Sequence, residues 1–279
     1  MTSVIIPAHN EQAGIPRLLD ALLSSAGPAE LEIVVVCNGC TDATAAQART
    51  FGAQVQVVEI EQPSKAAALR RGDEVATTFP RLYVDADVVL GTQDVRDLVK
   101  TLTESRLLAT SPTRRTVRTG LSRAARWYYA VWERLPQVRT GLFGRGVIAV
   151  SEEGFRRIAE LPRVMADDLA FSESFSPTER AITASAEVLV FPARTWRALV
   201  ERRVRVAIGN QQLRDAGLST PAAGTSVADL ARIVRSEPRL AAGVALFAAT
   251  AAYARAAGRR RARRGPVAWV RDETSRSGG

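Results

Sequence analysis

A chain of 279 residues, 46% of them hydrophobic, is long and apolar enough to fold around a substantial core, which excludes extensive disorder. Its net charge of +9 divides unevenly: residues 1–100 carry 8 basic and 13 acidic side chains, and residues 101–279 carry 30 and 16. The carboxylates of the first part can therefore hold a metal ion, and the basic side chains of the second part can attract an anionic partner. Two cysteines are too few for a disulfide framework.

Strand and helix signals alternate through the first hundred residues. Short β-rich apolar runs predict strands at residues 4–6, 31–36, 55–60 and 82–84. Helical spacing and capping signals predict helices at residues 15–23, from a cap at 41–42 to about 51, and at 65–77. This order predicts an α/β fold with a parallel sheet, whose ligand site lies at the carboxyl ends of the strands.

The second part of the chain is less regular. The pattern predicts an aromatic-rich helix at 123–135, a glycine-rich turn and strand at 141–150, a helix from 167, a strand at 188–191 and an arginine-rich helix at 194–216. An uncharged, alanine-rich stretch at 240–254 would be about 22 Å long as a helix, shorter than a membrane core. Arginines cluster after it, at 259–264.

Targeting signals are weak in this sequence. The opening MTSVIIPAHNE has no basic stretch and only a short apolar run, unlike a secretory signal. No run reaches the roughly 18 apolar residues of a membrane span. We therefore expect a cytoplasmic protein. Two alternatives stay open for its basic tail, which is either solvated or in peripheral contact with the inner face of the cell membrane.

Two carboxylates, Asp85 and Asp87, follow the fourth predicted strand. Carboxylates at the end of an apolar strand are costly unless something positive binds them. Mg²⁺ and Mn²⁺ prefer such oxygen ligands and often bridge to substrate phosphates. A D-x-D pair is also typical of an ordinary polar exit from a strand, but its place in an alternating α/β unit favours the metal site.

Four segments at or near predicted strand ends form an ordered set. They read IIPAHNE at 5–11, VCNGCTD at 36–42, KAAALRRG at 65–72 and YVDAD at 83–87. In this order and spacing they resemble the family 2 glycosyltransferases of GT-A fold, whose segments are PxxNE, a DDGSTD-like loop, a KGxAxNxG-like segment and D-x-D. The resemblance implies a mostly parallel GT-A-type sheet flanked by helices, and inverting sugar transfer from a nucleoside-diphosphate sugar to an acceptor hydroxyl, for instance of a lipid-linked or polysaccharide precursor.

The resemblance also implies roles for individual residues. It places the nucleotide-sugar donor against Pro7, Ala8, Glu11, Asn38, Lys65 and Asp85. It places Mg²⁺ or Mn²⁺ on Asp87 and Asp85. These groups suit the chemistry, since the leaving diphosphate must be neutralised and the nucleoside must be held.

Downstream of residue 90 the resemblance weakens. Asp167–Asp168 is similar to the acidic pair that supplies the catalytic base, which makes Asp168 the candidate base with Asp167 beside it. The GLFGRG turn at 141–146 and the RRVRVAIGN segment at 202–210 are similar to a glycine-rich acceptor turn and a QRxRWxxG segment. They place Arg145, Arg202 and Arg205 on the acceptor or diphosphate side.

On this resemblance we divide the chain into domains. Residues 1–225 form a GT-A-like catalytic domain, with a nucleotide-sugar-binding half at 1–100 and an acceptor-side half at 101–225. Residues 226–279 form a helical, basic C-terminal extension.

The chain also departs from the family pattern. Cys37 and Asn38 stand where two acidic residues are usual, so the donor base stays open, because an amide and a carboxylate differ in hydrogen-bonding pattern. Asp167 replaces a usual Glu, Arg70 a frequent Asn, and Val206 a frequent Trp.

Competing functions remain. A sugar-phosphate nucleotidyltransferase would share the fold and metal, but usually opens on a glycine-rich loop, where this chain reads PAHNEQAG. A membrane-associated scaffold without turnover is a third alternative, which the intact Asp85, Asp87 and Asp168 disfavour.

Other features favour plainer interpretations. The Cys37–Cys40 spacing lacks the second CxxC of a zinc site, and His9 suits a structural or nucleotide-contacting role better than catalysis. The aromatic residues at 127–132 suit a core more than a sugar platform, and the terminal arginines lack any nucleic-acid motif.

Overall fold

The structure is a computed structural model that describes residues 1–161, 167–217 and 224–262. Its described residues fall into two compact units. The sheet unit comprises Met1–Thr116, Leu142–Arg163 and Ser174–Val190, and the helical unit comprises Val117–Gly141, Val164–Glu173 and Phe191–Gly279.

The sheet unit contains an eight-stranded sheet of order β3-β2-β1-β4-β7-β6-β8-β5. Its strands are β1 Thr2–Ala8, β2 Leu31–Asn38, β3 Val55–Ile60, β4 Arg81–Val84, β5 Val88–Leu90, β6 Ala109–Thr116, β7 Val147–Val150 and β8 Arg180–Val190. Its helices are α1 Ile15–Leu23, α2 Thr44–Arg49, α3 Lys65–Val75, α4 Thr92–Ser105 and α7 Glu152–Ala159.

The first four strands form the predicted parallel part of the sheet. β1 lies between β2 and β4 and runs parallel to both, and β3 runs parallel to β2. Beyond β4 the sheet becomes mixed: β7 is antiparallel to β4 and β6, β5 is antiparallel to β8, and β6 is parallel to β8. The sheet is therefore a mixed GT-A-type sheet flanked by helices.

The core explains why these segments fold as they do. β1 is buried along its whole length, and the apolar stripe of α1, including Leu18 and Leu22, is fully buried against Val4, Ile6 and the rest of this cluster. Each such side chain contributes about 1.5–3 kcal/mol by leaving water.

Some element boundaries differ from the sequence prediction. The cap of α2 was predicted at 41–42, but its N-cap residue is Ala43 and the helix runs from Thr44 to Arg49; Asp42 Oδ1 accepts the Thr44 amide over 3.0 Å just before it. α3 ends at Val75, and β8 begins at Arg180, well before the predicted strand. β6 was not predicted, because its sequence ATSPTRRT lacks an apolar run.

The helical unit contains α5 Arg123–Trp132, α6 Pro136–Thr140, α8 Asp167–Glu173, α9 Trp196–Asp215, α10 Val227–Ser236 and α11 Ala241–Ala262. α11 packs on α9 and α5. Tyr128 of α5 stacks on Phe247 of α11 with ring centroids 4.9 Å apart, and Gly258 lies against Ala207 and Ile208. Tyr128 and Tyr129 of the predicted aromatic helix are thus core residues, whereas Trp132 is half-buried and Trp127 is exposed.

α11 is longer than the alanine-rich stretch that predicted it. The helix continues past Ala254 because arginine is a good helix former. Its 22 residues measure about 33 Å. The stretch Pro238–Arg261 is long and apolar enough to cross a membrane by length and composition, with 22% of its apolar window buried. The expectation that this helix is too short to span a bilayer is therefore wrong.

Close packing of α3 on β1 yields a stability prediction. A Cβ on Gly72 would come within 2.4 Å of Ile5 Cγ2, and both residues are buried. In an unconstrained helix, replacing Gly by Ala raises the free energy of unfolding by up to about 1 kcal/mol. Overpacking a core lowers that free energy by about 1–3 kcal/mol. We expect Gly72→Ala to lower the free energy of unfolding measured in urea.

A double-mutant cycle identifies the cause. In an Ile5→Ala background the added methyl group finds room, so Gly72→Ala should cost markedly less there. A Gly72→Ala variant as stable as the unaltered protein would contradict this packing.

Candidate active site

The carboxyl ends of β1, β2 and β4 lie side by side in the sheet unit. Ala8 at the end of β1 pairs with Cys37 of β2, and Ile5 pairs with Tyr83 of β4. The loops that follow these three strands therefore leave the sheet at one edge. The last residues of β1 and β2 and the loops after the three strands carry seven of the predicted residues: Pro7, Ala8, His9, Glu11, Asn38, Asp85 and Asp87.

Asn38 is held in one orientation. Its Nδ2 donates to the Ala8 carbonyl over 2.8 Å, and its backbone carbonyl lies 2.6 Å from His9 Nδ1. The side chain is 2% exposed, and its Oδ1 has no hydrogen-bond partner among the described residues. Because a buried acceptor without a partner is costly, this oxygen suits a ligand that donates an N–H or O–H.

The first two loops are tied to each other. Asn10, which has φ 55°, accepts the Thr41 amide at its Oδ1 over 2.7 Å. The Glu11 amide donates to Thr44 Oγ1 over 2.7 Å, and the Glu11 side chain is buried with 4% exposure. His9 and Asn10 therefore hold the first loop against the second.

Cys37 and Cys40 form a contact inside the second loop. The Cys37 thiol donates to the Cys40 sulfur, which raises the pKa of Cys37 and lowers the pKa of Cys40. Cys40 also receives the Asn10 amide over 3.4 Å. Cys37 is buried in the core at the end of β2, and Cys40 is half-buried in the loop that follows Asn38.

Lys65 and Asp85 form an ion pair. Lys65 Nζ at the start of α3 lies 2.7 Å from Asp85 Oδ1, and both side chains are about one-third exposed. The Asp85 amide donates to the Gly146 carbonyl over 2.7 Å. Gly146 has φ +70°, and a Cβ there would strike Val88 at 2.6 Å, so glycine is required at this point.

Asp87 faces the N-terminal part of α1. Burial lowers the pKa of Arg17, and the negative charge of Asp87 opposes that shift. Among the described residues there is no group of three or more His, Cys, Asp or Glu side chains that would hold a cation alone. Two carboxylates fit Mg²⁺ or Mn²⁺ only with further oxygen ligands, which a diphosphate provides.

Arg145, the residue before Gly146, is a buried cation. It is 4% exposed, and burial, followed by the charge of Arg114, lowers its pKa to about 10. Arg114 of β6 donates from Nη1 to the Gly144 carbonyl over 3.2 Å. The sequence analysis missed Arg114 and Arg17, since neither lies in a recognisable motif.

The remaining predicted residues belong to the helical unit. Asp168 lies in the first turn of α8, where its Oδ1 accepts the Leu169 amide over 2.8 Å, and Asp167 is the first residue of that helix. Arg202 and Arg205 lie on α9, and Arg203 between them sits over the ring of Tyr128 at 6.0 Å. Ala166 and Arg263–Arg264 of the predicted segments lie outside the described residues.

The sequence matches a known family model. Residues 3–156, more than half of the chain, match the model of glycosyl transferase family 2. The match contains all four segments that carry the resemblance, together with Arg114 and Arg145.

Curated relatives match a shorter part of the chain. An uncharacterised glycosyltransferase of Mycobacterium tuberculosis is 38% identical over 102 residues, which cover 37% of this chain and 42% of that protein. The dolichyl-phosphate β-glucosyltransferase of Drosophila melanogaster is 39% identical over 98 residues, 30% of each protein. The chain thus spans less than half the length of these relatives.

Solved structures show the same fold. A Pyrobaculum calidifontis mannosyltransferase, solved with GDP-Man and Mn²⁺, superimposes with a TM-score of 0.62 at 24% identity, over 95% of this chain and 76% of that one. The Mycobacterium tuberculosis glucosyl-3-phosphoglycerate synthase, solved with Mn²⁺ and UDP-Glc, gives 0.57 at 21% identity, over 79% and 80%.

Proposed function

The chain belongs to glycosyl transferase family 2, and we propose that it transfers a sugar from a nucleoside-diphosphate sugar to an acceptor hydroxyl with inversion at the anomeric carbon. The observation that carries the proposal is the convergence of Asn38, Lys65 and Asp85 at neighbouring strand ends of the sheet unit. A buried amide beside a partly exposed ammonium and carboxylate fits a nucleoside, a diphosphate and a cation.

Asn38 supports a preference among donor bases. With Nδ2 committed to the Ala8 carbonyl, Oδ1 is left to accept a hydrogen bond. A base that offers an N–H donor satisfies that acceptor, and the ring N–H of uracil or guanine is one such donor. The neighbouring solved structures contain UDP-Glc and GDP-Man, which agrees with this choice. Pro7, Ala8 and Glu11 complete the proposed nucleoside site.

Asp87 and Asp85 are the proposed metal ligands. The bound Mg²⁺ or Mn²⁺ would neutralise charge on the leaving diphosphate. Lys65 holds Asp85 in place and adds a positive charge at the same strand end. Arg17 of α1 lies beside Asp87. Each of the two carboxylates therefore has a cation next to it.

The chemical step is an in-line displacement. The acceptor oxygen bonds to the anomeric carbon while the bond from that carbon to the diphosphate oxygen breaks. The proton of the acceptor hydroxyl passes to Asp168, a role that rests on the resemblance of Asp167–Asp168 to the family's acidic pair. One displacement without an enzyme nucleophile inverts the configuration.

Substitution of Asp87 tests the metal site. Asp87→Ala should abolish transfer while leaving the fold intact, because several kcal/mol of charge stabilisation correspond to about 100-fold or more in rate. Sugar transfer is measured with Mn²⁺ and with EDTA, and Asp20→Asn, an exposed carboxylate on α1, serves as the control. Full activity of Asp87→Ala in excess EDTA would refute the assignment.

Amide substitution in α8 tests the base. Asp168→Asn keeps the shape but cannot take the proton, so the turnover rate should fall by roughly 10²–10⁴-fold while donor binding survives. Asp167→Asn is the matched control. If Asp167→Asn loses turnover and Asp168→Asn keeps it, the base has been assigned to the wrong member of the pair.

For the C-terminal helix we propose peripheral contact with an anionic membrane. α11 exposes alanines, Tyr253 and the arginines Arg255, Arg259 and Arg260. Such a surface suits anionic headgroups, and the Drosophila relative is named for dolichyl phosphate, a lipid. A lipid-linked acceptor would then meet the enzyme at the membrane surface.

Vesicle binding tests this contact. Each arginine near an anionic surface contributes about 1 kcal/mol, so replacing all three with Gln should weaken binding to anionic vesicles by about 100-fold at low salt. Arg232→Gln on α10 is the control. Equal binding to neutral and anionic vesicles, or none at low salt, would contradict the proposal.

A further inference from the structure

Cys37 and Cys40 are the two cysteines of the chain, and the fold brings them together at the end of β2. Cys37 pairs with Ala8 of β1, and the Cys40 sulfur lies 3.4 Å from the Ala8 carbonyl. Cys40 packs against the buried cluster that contains Cys37, and the two thiols are hydrogen-bonded to each other. Two free thiols in direct contact are the arrangement from which a disulfide forms.

The two thiols differ in their surroundings. Cys37 is 1% exposed, whereas Cys40 is half-buried in the loop. The hydrogen bond from Cys37 lowers the pKa of Cys40, and the Asn10 amide, 3.4 Å from the Cys40 sulfur, acts in the same direction. The same thiol contact, together with burial, raises the pKa of Cys37. Because the thiolate is the reactive form of cysteine, Cys40 is the sulfur that reacts first, and Cys37 lies beside it as its resolving partner.

We propose that Cys37 and Cys40 form a redox site, in which a hydroperoxide converts the two thiols to a disulfide and a dithiol reduces the disulfide again. Such transient disulfides are typical of redox-sensing thiols in reducing compartments.

The oxidation proceeds in two steps. The Cys40 thiolate attacks one oxygen of hydrogen peroxide, the O–O bond breaks and hydroxide leaves, so that Cys40 becomes a sulfenic acid. The Cys37 sulfur then attacks the Cys40 sulfur, the S–O bond breaks, and the proton of Cys37 leaves with that oxygen as water. The two thiols lose two electrons and two protons in total, and the peroxide becomes two molecules of water.

The disulfide would alter the loop that is proposed to hold the nucleoside. Asn38 lies between the two cysteines, and its side chain donates to the same Ala8 carbonyl that Cys40 contacts. Disulfide sulfurs are about 2.05 Å apart, closer than hydrogen-bonded thiols. Cys37 is fixed in β2, so Cys40 has to move, although its sulfur also holds the Asn10 amide of the first loop. We therefore expect weaker binding of nucleoside diphosphates after oxidation, a consequence that rests on the proposed function.

Treatment of the full chain with hydrogen peroxide tests the site. Intact mass and thiol counting show what has formed, and a non-reducing gel detects links between chains. Both thiols should be lost together, with a mass lower by two hydrogens and no link to a second chain, and dithiothreitol should restore them. Two free thiols after treatment, or disulfide-linked dimers as the main product, would overturn the inference.

Single substitutions separate the two thiols. Cys37→Ala leaves Cys40 without its resolving partner, so oxidation should stop at a sulfenic acid, which a 1,3-dione traps. The reaction should also be slower at neutral pH, because the hydrogen bond that lowers the pKa of Cys40 is lost. Cys40→Ala leaves only the buried Cys37, which should remain a free thiol. Rapid oxidation of Cys37 in Cys40→Ala would contradict the assignment of Cys40 as the reactive sulfur.

Binding of UDP and of GDP, each with Mn²⁺, gives a second readout. Oxidation of the unaltered protein should weaken binding by about 10-fold, the size of one lost hydrogen bond, and dithiothreitol should restore it. Cys40→Ala should bind equally well before and after peroxide treatment. A disulfide that forms without a change in affinity would refute the effect on donor binding. If neither nucleotide binds the reduced protein, the proposed function fails, and the mass measurement still decides whether the disulfide forms.

Discussion

The parallel pairing of β1 with β2 on one side and β4 on the other is the constraint on which the rest of the site depends. It brings the loops after three strands to one edge and lets Asn38 reach the Ala8 carbonyl across the strand gap. A slip of one residue would turn every side chain of a strand to its other face. The burial of β1 along its full length is what makes such a slip costly.

Charge balance follows from that arrangement. Asp85 and Asp87 sit at a strand end where isolated carboxylates would be costly, and Lys65 and Arg17 each lie beside one of them. The carboxylates are therefore compatible with the folded chain without a bound cation.

Much of the donor half was predictable from sequence, because β1 to β4 are apolar runs broken by proline, glycine or acidic residues, and β3 has the predicted bounds. The GT-A-type fold and the family were confirmed as well. The later strands were predicted only in part: β7 and the end of β8 fall in predicted strands, whereas β6 was missed because its sequence is polar. Arg114 was missed for that reason, and the length of α11 was underestimated because its last turns are arginines. The roles of Asp87 and Asp168 remain predictions.

The central claim is that this strand edge binds a nucleoside diphosphate with a divalent cation. The most direct measurement is a thermal-shift screen of nucleoside diphosphates with and without Mn²⁺. A ligand at 100 times its Kd stabilises the native state by about 2.7 kcal/mol, which raises the melting temperature of a domain this size by several degrees. The account predicts such a rise for UDP or GDP, larger with Mn²⁺ than without it. No rise with any nucleoside diphosphate, with or without Mn²⁺, would contradict it.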